Sequence, residues 1–237
     1  MPDWAQHLHL HSRLGFAAGI GLSLLVGAQT PAGWKELKIG PATGQNTRIS
    51  PAGIESQIIS LRGIIAVAHG LPHPDHRITG PAILDSERMA VRAIPEEEGL
   101  DNLRGLLRKL LDDRFGFKAH REQQPRLVLV LKQVTNRPGK LQAHTGEPSN
   151  LRVGHGTLEG SGPISALLPH IEFRVDRPVV DESGLQGTYR FQLTWEAGNR
   201  QSFLNSLEEQ LGLVLSHEER SIEVLVVDKV EAYRVAP

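Results

Sequence analysis

Three times this chain ends a helical stretch in the same way, with a glycine, then an apolar residue, then a segment suited to a strand. The phrase reads Ala68-His69-Gly70-Leu71, Arg114-Phe115-Gly116-Phe117 and Gln210-Leu211-Gly212-Leu213. Glycine just past a helix takes the left-handed conformation that closes the last turn, and the next apolar residue folds back onto the helix. The second and third copies also share their approach, Leu111-Asp-Asp and Leu207-Glu-Glu. The pattern predicts an α+β fold of repeated small helix–strand units, with mixed or antiparallel sheets. It constrains architecture strongly and chemistry hardly at all.

A chain of 237 residues is long enough to bury a substantial core, in one domain or two small ones. Its 26 basic and 27 acidic residues are spread along the sequence, so it offers neither a basic stripe for nucleic acid nor an acidic tail. The absence of cysteine excludes disulfides, thiolate metal sites, a thiol nucleophile and a lipidated-cysteine anchor.

Leu14 to Ala28 is uncharged and mostly apolar, with Arg13 before it and Gln29-Thr30-Pro31 after it. A spanning helix needs about 20 apolar residues, so this run fits the core of a secretory signal better. The expected division is therefore a signal peptide over 1–28 cleaved near Ala28, α+β units over 29–134, a loop or linker over 135–162, and an α+β unit over 163–237. The mature chain is then expected in the periplasm or outside the cell, with no membrane span. Retention of residues 14–28 as an inner-membrane anchor is the alternative.

Along the mature chain, Glu36–Ile39 reads as a short strand. Pro51 opens a helical region through Ile54, Ile58, Leu61, Ile64, Ile65 and Ala68, by the spacing of its apolar residues. Arg77-Ile-Thr and Met89–Ile94 are strand candidates. Leu100, Leu103, Leu106, Leu107, Leu110 and Leu111 form one helical stripe. Phe117–Arg121 and Leu127–Leu131 read as two strands. Thr135 to Gly162 is Gly-, Pro- and Ser-rich and reads as a long loop with a short strand near Leu151–Val153. A short helix over Ile164–Ile171, a strand over Gly187–Trp195, a helix with Phe203, Leu204, Leu207 and Leu211, and a strand over Ile222–Val227 complete the chain.

Several of these phrases carry a resemblance. They are Ser60-Leu-Arg62 through Ala68-His-Gly-Leu71, Ile78-Thr-Gly-Pro81, Leu111-Asp-Asp-Arg-Phe-Gly-Phe-Lys-Ala-His-Arg-Glu122, and Arg177-Pro-Val-Val-Asp-Glu-Ser-Gly-Leu-Gln-Gly-Thr-Tyr-Arg-Phe191 with Trp195. Together with Leu207–Leu213 and Ile222–Asp228 they resemble a large paralogous family of uncharacterised exported proteins of soil acidobacteria, a domain of unknown function. The resemblance spans about Lys35 to Val230. This chain departs from it at His69, where an aromatic is usual, and at Ala82-Ile83, where a tryptophan is. It implies export and an α+β fold, and it brings no catalytic residues. Related domains joined to membrane metallopeptidases imply a sensory or envelope role, but the His-Glu-x-x-His pattern of such peptidases is absent here.

The residues that could carry chemistry are few. His73-Pro-Asp-His76, with His69 nearby, is the best metal candidate, yet two histidines flanking a turn fix no coordination shell. Gly154-His-Gly-Thr-Leu-Glu-Gly-Ser-Gly162 lacks the lysine and following helix of a phosphate loop, and Gly160-Ser-Gly162 lacks the spacing of a nucleophile elbow. Asp181-Glu182-Ser183-Gly184 reads as a turn, with Asp181 accepting backbone N–H groups and Gly184 and Gly187 at positive φ. Glu96-Glu97-Glu98 reads as a solvated helix start, and the Tyr189–Trp195 face as core. The sequence therefore names no catalytic, cofactor-binding or metal residue. It points to an exported binding module for an envelope protein or peptide, non-enzymatic and without cofactor. A periplasmic hydrolase and a sensory domain partnering a membrane metallopeptidase stand as alternatives.

Overall fold

The fold grows from two long strands. After the left-handed cap at Gly116, the chain extends as Lys118–Gln133; after the cap at Gly212 it extends as Leu213–Lys229. The two pair antiparallel along their whole length, with Pro125 opposite Ser221. This computed structural model describes residues 30–72, 76–134, 141–147 and 149–233; the expected signal segment and His73 lie outside them.

The chain starts with β1 (Trp34–Pro41), β2 (Thr47–Ser50), β3 (Gly53–Ser60), α1 (Leu61–His69) and β4 (Ile78–Thr79). A short α2 (Ile83–Ser86), β5 (Arg88–Pro95) and α3 (Leu100–Phe115) lead into the first long strand, β6. Next come β7 (Gln142–Ala143), β8 (Ser149–Gly154), β9 (Thr157–Gly162), α4 (Leu168–Val175), β10 (Val179–Asp181) and β11 (Tyr189–Thr194). Finally α5 (Arg200–Ser206) runs through a π-helical turn, Leu207–Leu211, into β12, the second long strand.

The second half repeats the first. The outer sheets have the orders β1-β5-β3-β2 and β7-β11-β9-β8, and the central sheet is β10-β6-β12-β4. Exchanging β1–β6 for β7–β12 maps each outer sheet onto the other and the central sheet onto itself. The register agrees. Gly116 and Gly212 stand equally far before Pro125 and Ser221, and β10 meets β6 at Leu129 just as β4 meets β12 at Leu225. Even the entering hydrogen bonds correspond, Leu129 N–H to the Pro178 carbonyl at 2.9 Å and Leu225 N–H to that of Arg77 at 2.7 Å. A pseudo-two-fold axis therefore passes through the Pro125–Ser221 pair.

The repeated cap phrase marks this sheet. Each of its four strands follows a helix closed by a left-handed residue: Gly70, Gly116, Gly212 and, after α4, Asp176 with φ of 54°. Two cores result. One packs α1 and α3 on the first outer sheet around Ile64, Ile65, Leu107, Leu111 and Phe115. The other packs α4 and α5 around Leu167, Ile171, Phe191 and Phe203. A third, small cluster joins Val128 and Val130 of β6 to Ile222 and Val224 of β12, residues that would lie well apart in a flat ribbon. The ribbon is bent, with this side concave, and its convex side at the axis is exposed.

Four sequence readings are corrected. The helix expected from Pro51 starts at Leu61; residues 53–60 form β3, where a bulge between Ser56 and Ile59 breaks the alternation and mimics helical spacing. Ser60 Oγ accepts the Gly63 N–H and caps the helix. The two strands expected over 117–131 are one, because Gln123–Arg126, though polar, keeps its pairing with β12. The last strand begins at Leu213 rather than Ile222. The expected loop over 135–162 holds β7, β8 and β9 among its described residues; β9 buries Leu158 and Ser161, and its other side chains need no apolar character. Among the described residues no helix is long and apolar enough to cross a membrane.

Candidate functional site

Where the two repeats face each other, α1 and α3 on one side and α4 on the other enclose a cleft of about 570 Å³. Ile49, Val67, Leu71, Leu100, Leu168 and Val179 give it apolar walls. Ile49 and Leu100 are 41% and 44% exposed, among the few large apolar side chains left open to solvent. Local structure explains their position. The Gly70 turn brings Leu71 and Pro72 back under α1, and Gly99 starts α3 so that Leu100 stands at its first turn, beyond the buried Leu103–Leu107 stripe.

The cleft's polar groups satisfy one another. Glu172, 2% exposed, accepts Arg77 Nη2 at 3.0 Å and the Val179 N–H at 2.7 Å, and Arg77 Nη2 also donates to the Val179 carbonyl at 3.1 Å. Arg77 precedes β4 in the first repeat, whereas Glu172 and Val179 belong to the second. The pair thus joins the repeats under the cleft, at a point the pseudo-symmetry does not duplicate. A buried ion pair with its lone pairs engaged holds geometry. At the mouth Arg104 lies over Gly70 and pairs with the exposed Asp101 at 3.2 Å, a solvent-side contact that leaves its guanidinium a cation for an incoming anionic group.

The two outer sheets also each turn a groove to solvent, of about 560 and 590 Å³, lined by corresponding strands and by Arg48 and Glu55 in one, Arg152 and Glu159 in the other. Neither has the enclosing helices of the inter-repeat cleft. Apolar walls with a few fixed polar groups are what a ligand site requires, so the cleft is the candidate.

The residues singled out from sequence fall elsewhere. His69 ends α1 with its ring 5.6 Å from that of Phe117. Its Nε2 is buried without a hydrogen-bond partner, and burial, with Arg108 and Arg121 nearby, pushes its pKa down. His76 Nε2 lies 3.2 Å from Asp176 Oδ1 but is misaligned for a hydrogen bond. Among the described residues no three His, Asp or Glu side chains are grouped to hold a metal ion. Asp181 Oδ1 accepts the Ser183 N–H at 2.9 Å, and Gly184 and Gly187 have φ of 70° and 93°, as the turn reading expects. Glu182 instead pairs with Arg220 at 2.9 Å. Gly154–Gly156 is the β8–β9 turn. Glu96, Glu97 and Glu98 are exposed before α3. Phe191 and Leu193 are core, while Trp195 packs edge-on to Phe203 with Arg174 stacked 4.6 Å away.

Sequence reasoning passed over Arg77 and Glu172. Glu172 carried a signal: it is an acid on the apolar face of Leu168–Val175, flanked by Ile171 and Val175, a position that requires a buried partner.

Comparison with known proteins gives one family. Residues 62–230 match the family described as protein of unknown function (DUF3738). No curated protein and no solved structure matches the chain.

Proposed function

The chain belongs to the DUF3738 family, and we propose that it is an exported, non-enzymatic binding module of the cell envelope whose inter-repeat cleft takes an apolar segment bearing one anionic group. The observation that carries the reading is the convergence of solvent-exposed Ile49 and Leu100 with Leu168 and Pro169 around a floor of mutually satisfied polar groups. Exposed apolar side chains gathered from three elements favour a partner surface over solvent. Arg104 at the rim supplies the complementary charge. Because Arg77 and Glu172 are committed to each other, the cleft favours binding over acid–base work.

Export is supported by the Leu14–Ala28 run and by the resemblance to exported proteins. N-terminal sequencing of protein from the native host tests it: a start near Gln29 is expected, a retained segment in the membrane fraction supports the anchored form, and a cytoplasmic chain still bearing Met1 defeats the proposal.

Binding is tested with 8-anilinonaphthalene-1-sulfonate, an apolar ring system with one sulfonate. Fluorescence titration is expected to show one saturable site that weakens about tenfold in Leu168→Glu and less in Arg104→Gln. Undiminished binding in both variants, with the fold intact by circular dichroism, removes the cleft as the site.

A further inference from the structure

The long strands of the central sheet are covered at their outer edges only in part. Beyond the β6–β12 pairing, β10 contacts β6 at Leu129–Leu131 and β4 contacts β12 at Leu225–Val226. Leu129 and Leu225 use outward N–H groups there, so by the alternation of an antiparallel ladder every second residue points its backbone outward. On β12 these are His217, Glu219, Ser221 and Glu223; on β6 they are Arg121, Gln123, Pro125 and Leu127. Among the described residues none of these outward backbone groups has a strand partner, although the Glu219 carbonyl accepts the side chain of Arg220 through Nη1 at 3.1 Å, and all eight residues are exposed.

The two edges are related by the pseudo-two-fold axis but are not alike. At the axis β6 carries Pro125, which has no N–H and blunts its edge against further pairing. Its counterpart on β12 is Ser221, which keeps its donor. We propose that the β12 edge from His217 to Glu223 is a second interaction surface, one that adds an extended segment of another protein as a further strand, with basic residues at alternate positions.

Charge selects that occupant. Glu219 has no ion-pair partner among the described residues, and Glu223, opposite Gln123, pairs diagonally across the ribbon with Arg121. A second copy of this chain, paired antiparallel about Ser221, would set Glu219 against Glu223 of its partner, and like charges directly opposite oppose pairing. A strand with lysine or arginine at alternate positions meets the same residues favourably. Main-chain hydrogen bonds would supply affinity and these side chains specificity, as in strand addition generally.

The molecule itself supplies the test. Proline is accommodated at the axis of β6, so Ser221→Pro places the same residue at the equivalent outward position of β12, where no ladder bond is lost. The probe is an acetylated, amidated heptapeptide alternating lysine and valine, followed by fluorescence anisotropy and amide hydrogen exchange. One site is expected, with protection of the Glu219, Ser221 and Glu223 amides and loss of at least about tenfold in affinity in Ser221→Pro. The same peptide methylated on alternate backbone nitrogens should not bind. Pro125→Ser restores the missing donor on β6 but not the acidic side chains, and is expected to leave one site for this peptide; a second site would show that charge does not select the occupant. Leu168→Glu should leave this binding unchanged, which separates it from the cleft. Equal binding by Ser221→Pro and the parent, protection mapped to another element, no binding to the parent, or a parent dimer abolished by Ser221→Pro would each overturn the assignment.

Discussion

Arg77 ties the two repeats together through a single buried side chain. It leaves the start of β4 and ends on Glu172 and the Val179 carbonyl, groups of the other repeat. Removing one partner of a buried pair leaves an uncompensated charge and costs about 3–5 kcal/mol, whereas replacing both by apolar residues is often neutral. Arg77→Met is accordingly expected to destabilise by about that amount in urea denaturation, and the double variant with Glu172→Leu to recover much of it. A second residue-scale expectation concerns Glu218. Lys132 Nζ at 2.5 Å, the Ser216 hydroxyl at 2.8 Å and Arg220 at 2.5 Å hold its carboxyl down from the ordinary 4.5 to about 2. With the folded pKa below the unfolded one, its contribution to stability is present above about pH 4.5 and fades as pH falls through about 2. Carbon-13 titration of the carboxyl should show that low midpoint, and Lys132→Met should move it back toward 4.5.

At the scale of elements, the caps carry the argument from sequence to sheet. Gly70, Gly116 and Gly212 have φ of 64°, 56° and 71°, and each ends a helix leading to a strand of the central sheet. Valine at Gly116 or Gly212 must be forced into that left-handed conformation, so each substitution is expected to cost at least about 1–2 kcal/mol by thermal or urea unfolding. Stability equal to the parent would remove the cap argument. These helix ends were legible because a cap is written in adjacent residues. The strands they feed were less so, since β6 and β12 carry polar residues at their exposed middle and are continuous only through each other. The duplication was glimpsed in the Leu111 and Leu207 phrases alone, because α1 and α4 end differently, one on Gly70 and the other on Asp176. The cleft was not legible, since it gathers Ile49, Leu100 and Leu168 from segments whose approach depends on how β6 and β12 bend.

For the whole molecule, the two cores share one spine. Leu225 and Val227 of β12 close the first core, although β12 follows the helix of the second repeat; Leu129 and Leu131 of β6 close the second core, although β6 follows the helix of the first. Neither core can be completed by its own repeat, which is the signature of a swapped pair of strands built into one chain. Sequence division into units at 29–134 and 163–237 suggests parts that unfold separately; the exchanged strands suggest one cooperative transition. Tryptophan reports on both cores, since Trp34 is buried in the first and Trp195 packs on Phe203 in the second. In variants that keep only Trp34 or only Trp195, the fluorescence midpoints in urea are expected to coincide. The Arg77→Met variant should lower both midpoints together, because the repeats it uncouples hold strands of each other's core. Two separate midpoints in the parent, or a Trp195 transition untouched by Arg77→Met, would show instead that each core stands alone and that the shared ribbon is only a linker between them.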